Sequence, residues 1–199
     1  MPHQELPGEN MIRKIIALLI APFLLAGCGL ITVVEADHSQ HGGLLPNATD
    51  FSMNDLMFAQ MMIPHHEQAI QMAEWAKTRA SDPQVKELAE KILAEQAPEI
   101  ALMTGWLEQA KQAVGDHSMH MDMQGMLSEQ ELAKLKSLTG AEFDRYFLES
   151  MVKHHEGAVV MAKDFLDSSN QNVVELLQSI IATQNSEIQK MEDLLNPAN

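Results

Sequence analysis

From Phe51 to Leu195 apolar residues recur every three or four positions, the spacing of one helix face, and breaks in that pattern divide the stretch into elements. Ser81-Asp82-Pro83 ends one amphipathic run and opens another, with Pro83 suited to a first helical position, where its missing N–H costs nothing. Ser128-x-x-Glu131 and Thr139-x-x-Glu142 have the form of capping boxes, which satisfy two backbone donors reciprocally. Ser168-Ser169-Asn170 interrupts the last run. The pattern predicts long helices near 51–79, 83–111, 141–167 and 170–195, with a shorter helix opening at Ser128. Pro64 and Pro98 lie inside helical stretches, and kinks are expected there.

The pattern also repeats. Residues 55–73 align with 144–162 at an offset of 89, with 9 of 19 positions identical. Residues 85–107 align with 173–195 at an offset of 88, with 10 of 23 identical. Two blocks in the same order, one residue out of step, mark a duplicated helical hairpin. Each hairpin has a short loop, whereas about thirty residues join the two, so an all-α, ferritin-like four-helix bundle with one long crossover is expected. The bundle would occupy 50–196: repeat one 50–111, crossover 112–140, repeat two 141–196.

The N-terminal region reads differently. Arg13 and Lys14 precede an apolar run from Ile15 to Gly27 that ends Leu25-Ala26-Gly27-Cys28. That run is too short for a permanent span, which needs about 20 apolar residues. It reads as a secretory signal peptide over 1–27 ending in a lipobox, with Cys28 as the lipidated first mature residue. Residues 1–10 make a poor signal start, which leaves Met11 as an alternative beginning. Residues 28–49, with Gly42, Gly43 and Pro46, read as a flexible tether. His38 and His41 within it read as solvated rather than ligating.

Composition narrows the chemistry. Cys28 is the one cysteine, so the bundle is expected to hold neither a disulfide nor a thiolate site. Against that stand 15 Met and 9 His, with 1 Tyr and 2 Trp. A net charge of −15 with scattered Lys and Arg gives nucleic-acid binding no support.

Where the methionines and histidines fall matters more than their number. Asp55, Met62, His65, Ala69 and Met72 share one face of the first helix; Asp144, Met151, His154, Ala158 and Met161 share the equivalent face of the third. Polar groups stand there where a core prefers leucine, and burying one unpartnered costs roughly 2–7 kcal/mol. Helices two and four carry the stripes Leu88, Ile92, Glu99, Met103, Trp106 and Leu176, Ile180, Glu187, Met191, Leu194. A carboxylate beside an imidazole is the usual orienting partner of a ligating histidine, and Glu99, Glu187, Glu67, Glu156, Asp55 and Asp144 are candidates. Candidate ligands in the bundle are Met62, His65, His66, Met72, Met151, His154, His155 and Met161, and with both stripes turned inward Met62 and His65 are expected to face Met151 and His154. Neighbours on a helix point about 100° apart, so the two histidines of a pair need not serve one ion. A second cluster, His117, Met119, His120, Met121, Met123 and Met126, lies in the crossover between Gly115 and Gly125; it reads as a flexible soft-ligand tract or, failing that, a methionine flap over apolar surface.

Thioether and imidazole donors favour Cu(I), with Cu(II) also accepted by imidazole and oxygen. Calcium and magnesium want oxygen cages. Di-iron bundles use Glu-x-x-His pairs with further glutamates, whereas the order in these helices is His-His-Glu with methionine before it. The blander reading is ordinary packing by buried methionines and hydrogen-bonded histidines. Duplication of the whole stripe argues against it.

The element Met-x-x-His-His-Glu-x-Ala-x-x-Met-Ala at 62–73 and 151–162 resembles that of the domain-of-unknown-function family 305. So do Glu99-Ile100-x-x-Met103-x-x-Trp106-Leu107 and Gly140-Ala-x-Phe143-Asp144. The resemblance covers about 50–195 and implies a ferritin-like fold, a family with exported copper-binding members associated with copper resistance, and a role in copper binding for Met62, His65, His66, Met151, His154 and His155. It does not imply an enzyme. Pro64 before the first histidine pair departs from the second copy, where Lys153 stands.

These readings converge on a copper-binding lipoprotein of the cell envelope, facing the periplasm or exterior, that sequesters or delivers the ion or confers resistance. Its partners would be copper, the membrane through the lipid, and a copper transporter or a second copy of the chain. A buried-site metal oxidase and a metal-free scaffold are the rival classes. Cys28→Ser is expected to abolish lipid attachment and membrane partitioning; a variant that partitions like the parent would contradict the lipobox reading.

Overall fold

The computed structural model describes residues 51–112 and 123–197, all of the latter two stretches lying in the helical region. The described residues form five helices in order: α1 Met53–Arg79, α2 Pro83–Gln109, α3 Glu129–Ser137, α4 Gly140–Asp164 and α5 Gln171–Leu195. The signal peptide, tether, Cys28, His38, His41, His117, Met119, His120 and Met121 lie outside the described residues.

Local chemistry sets the helix starts. Ser52 caps α1 in a capping box with Asp55, whose Oδ2 accepts the Ser52 N–H at 2.7 Å. Asp82 caps α2 ahead of Pro83 by accepting the Gln84 N–H at 2.8 Å. Ser128 and Glu131 form the expected box at α3. The box expected at Thr139 does not form: Thr139 makes no side-chain cap bond. Gly140, at φ 66°, turns the chain sharply between Thr139 and Glu142 instead. Each of α1 and α2 continues as one helix through Pro64 and Pro98.

α1 packs on α2, α4 packs on α5, and the two hairpins meet chiefly along α1 and α4. The core has two apolar clusters. One joins Ala69, Met72, Ala73 and Ala76 late in α1 to Phe143, Phe147 and Met151 early in α4, with Leu88 and Met191. The other joins Phe58, Ala59 and Met62 early in α1 to Ala158, Met161 and Ala162 late in α4, with Met103 and Leu177. Early residues of one helix meeting late residues of the other make α1 and α4 antiparallel. α2 and α4 then run the same way, so the crossover must travel the length of the bundle, about 40 Å for a 27-residue helix. The fold is an all-α four-helix bundle of two hairpins, with α3 carried on the crossover.

Asp55 and Asp144, expected beside the imidazoles, serve helix ends instead. Asp55 is consumed by its own capping box. Asp144 reaches across to the α1–α2 turn, accepting the Ser81 and Asp82 backbone N–H groups at 2.9 Å each and the Ser81 hydroxyl. Both lie about three turns N-terminal of the histidines, beyond the polar layer.

Candidate metal centre

Between the two apolar clusters lies a polar layer. His65, His66, His154 and His155 are each at most 1% exposed. Helix spacing puts each pair at mid-helix, and antiparallel packing of α1 on α4 brings the pairs together: the His65 and His154 rings lie 3.8 Å apart, centroid to centroid, tilted by 41°. His66 and His155 turn outward from that contact toward α2 and α5. The Glu99 carboxylate accepts from His66 Nε2 at 2.8 Å, and the Glu187 carboxylate accepts from His155 Nε2 at 2.9 Å. These are repeat-related contacts on opposite sides of the bundle.

The hydrogen bonds assign tautomers. A carboxylate accepts only, so His66 and His155 carry a proton on Nε2, and in neutral His155 Nδ1 is left as a lone pair. His65 Nε2 donates to the Gln124 carbonyl at 3.2 Å, which again leaves Nδ1. Nδ1 of all four rings, and Nε2 of His154, are buried without a hydrogen-bond partner. Such groups are rare in a dry core, because each forfeits hydration without replacement. The unprotonated nitrogens among them are lone-pair donors of the kind a cation takes.

Electrostatics keep those lone pairs available. Burial, reinforced by His66, pushes His65 down to about 3. Burial also pushes His155 down to about 3 and holds His154 well below the usual imidazole range. Burial raises the Glu187 carboxyl; Glu95 is raised by burial and then by Glu187 beside it. Lys91 Nζ stands 3.8 Å from Glu187 and 3.7 Å from Glu95 and partly offsets that crowding.

The methionines are sorted by the antiparallel packing. Met62 lies with Met161 and Met103 in one cluster, and Met151 with Met72 and Met191 in the other. Met62 does not face Met151, as equivalent stripes alone had suggested; the two fall on opposite sides of the histidine layer. Glu67 and Glu156 are exposed, away from the imidazoles, because they sit one residue past each His pair and so turn outward. Met123 and Met126 are half-buried where the crossover returns to the bundle. Among the described residues no three His, Cys, Asp or Glu side chains are arranged together to hold a metal.

Some participants were not singled out by sequence. Gln96 and Gln184 are buried, and neither amide has a partner for its nitrogen or oxygen. They are identical at repeat-equivalent positions on the stripes of Glu99 and Glu187, which was the available signal. Met103 and Met191 were equally visible there. Gln68, Gln124 and Gly157, which seat the crossover over the layer, carried no signal of their own.

Residues 55–195 match the family description "Domain of unknown function (DUF305)". The chain belongs to the DUF305 family. A secreted-type DUF305 protein of Streptomyces coelicolor has a crystal structure that aligns at 33% identity and TM-score 0.67, covering 75% of this chain and 94% of that one. CopM in its Cu(II)-bound form aligns at 35% identity and TM-score 0.62, covering 71% of this chain and 95% of CopM; its Cu(I)-bound form gives 35%, 0.61, 70% and 94%. An uncharacterized protein of Acanthamoeba polyphaga mimivirus is 38% identical over 63 residues, 32% of this chain, and the match spans only 41% of that relative.

A DUF305 bundle with this layer should be acid-sensitive without metal. The unfolded chain binds protons on its histidines below about 6.5, whereas native His65 and His155 wait until about 3. The unfolded state therefore holds more protons in that window, and stability falls as pH falls. With His154 included the slope approaches about 4 kcal/mol per pH unit, less what the raised Glu187 and Glu95 give back. Denaturant unfolding of the apo protein from pH 7 to 4 should show this decline, and a His154→Gln, His155→Gln variant should show a shallower one. A flat profile in the parent would contradict neutral burial of the layer.

Proposed function

We propose that this protein takes up Cu(I) into the histidine layer and sequesters or delivers copper in the cell envelope, without catalysing a reaction. The observation that carries the reading is that Nδ1 of four buried imidazoles, and Nε2 of His154, have no hydrogen-bond partner. A single positive charge suits this core: neutral imidazoles supply soft donors, and the Glu99 and Glu187 carboxylates lie one ring away to balance it. Because burial holds His65 and His155 neutral far below neutral pH, no proton competes with the ion there. Methionine triads on either side provide further soft donors at each end of the layer. CopM, solved with Cu(I), Cu(II) and silver, supports copper as the cargo. In this reading the lipid at Cys28 holds the bundle at the membrane, where ions arrive or leave through a transporter, and the methionine tract from His117 to Met126 collects them.

Titration of Cu(I) against a chromogenic chelator checks the proposal. The parent should retain Cu(I) in competition, and His154→Ala with His155→Ala should lose the bundle-bound ion while staying helical. Glu187→Gln, which keeps a hydrogen bond but removes the charge, should weaken binding about 10–100-fold. Unchanged retention by the double histidine variant would place the ion elsewhere and sink the reading.

A further inference from the structure

We propose that the turn Met123–Met126 is the positioning element of the histidine layer and the place where copper enters it. This rests on the copper reading above, but its geometry does not. The Met126 N–H donates to the Met123 carbonyl at 3.2 Å, with Gly125 at φ 88° in the third position. That is a type II turn, whose flipped central peptide frees the second residue's carbonyl. Here that carbonyl belongs to Gln124, and it accepts from His65 Nε2 at 3.2 Å. The turn thereby fixes the His65 tautomer. His154, its ring 3.8 Å from that of His65, has no such partner on either nitrogen.

Two residues hold the turn there. The Gln68 amide donates to the Leu127 carbonyl at 2.9 Å, and its oxygen accepts the Leu127 N–H at 2.8 Å, both bonds buried. Gly157 provides the clearance: a Cβ at that position would lie 1.9 Å from the Gln124 oxygen. A Cβ on Gly125 would lie 2.6 Å from the Lys153 carbonyl, so strap and helix touch backbone to backbone.

The repeat shows that this seat is built. Gln68 and Gly157 are equivalent positions at offset 89, inside blocks where the preceding His-His-Glu and the following Ala are identical. A helix needs neither a reaching amide nor a glycine at that point, and glycine costs it roughly 0.5–1 kcal/mol relative to alanine. Both halves of the divergence serve the strap: one copy clasps it and the other makes room. The strap is also irregular backbone lying against the His65 ring. Lifting it exposes His65 without unwinding a helix, and it brings the half-buried Met123 and Met126 thioethers to the opening.

The test uses the full bundle with two variants. Gln68→Ala releases the clasp without a clash, and Gly157→Ala drives a methyl group into the Gln124 carbonyl. Nitrogen chemical shifts of the apo protein report the His65 tautomer, and transfer of Cu(I) to a chelator reports passage. The parent should show His65 as the Nε2–H form. Each folded variant should lose that preference and exchange Cu(I) about tenfold faster or more, as expected when two buried hydrogen bonds are removed. If Gly157→Ala does not fold, Gln68→Ala decides. A Gln68→Ala protein with the parent's tautomer and the parent's transfer rate overturns the proposal. A parent that binds no Cu(I) defeats the copper reading instead, and the tautomer measurement still judges the strap.

Discussion

Four imidazoles buried between two apolar clusters set the terms for everything else in this bundle. Each brings two nitrogens into the buried interior, and each nitrogen left without a partner costs free energy that packing alone does not return. The structure meets part of that demand with named groups: Glu99 for His66, Glu187 for His155 and the Gln124 carbonyl for His65. It leaves the remaining nitrogens bare. Burial holds His65, His154 and His155 in the neutral form, which is also the form that binds a soft cation.

The duplication explains how such a layer can be built from a short sequence element. One helical hairpin places a His pair at mid-helix and a glutamate on its partner helix. Two copies packed antiparallel then supply a pair of rings from each side. The same operation distributes three methionines to each end, Met62, Met103 and Met161 against Met72, Met151 and Met191. The layer is close to twofold symmetric in its imidazoles and unsymmetric in its cover, since the Gln124 carbonyl meets His65 and no equivalent meets His154. Where the copies differ, at Gln68 and Gly157, the difference follows that cover.

Much of this was legible in the chain. Helical periodicity, Pro83 after Asp82 and the Ser128–Glu131 box fixed the elements, because those signals are local. The repeat fixed which helix faces are equivalent, and polar residues on an otherwise apolar face pointed to the layer. Direction was not legible. A stripe says which side of a helix points inward but not whether its partner runs up or down, so Met62 was matched to Met151 when antiparallel packing gives it Met161. Asp55 and Asp144 lie on the same stripe, but their distance along it puts them at helix ends, where exposed backbone donors claim them. The strap was invisible for a different reason: irregular backbone has no period, and the contrast between Gln68 and Gly157 acquires meaning only once something is known to lie there.

The account stands on the ion residing among the buried rings, and X-ray absorption of the Cu(I)-loaded protein addresses that most directly. The predicted spectrum has nitrogen neighbours with the outer-shell scattering of imidazole rings, any sulfur being additional. A spectrum of sulfur or oxygen neighbours alone, without imidazole scattering, would put the copper outside the histidine layer and contradict the account.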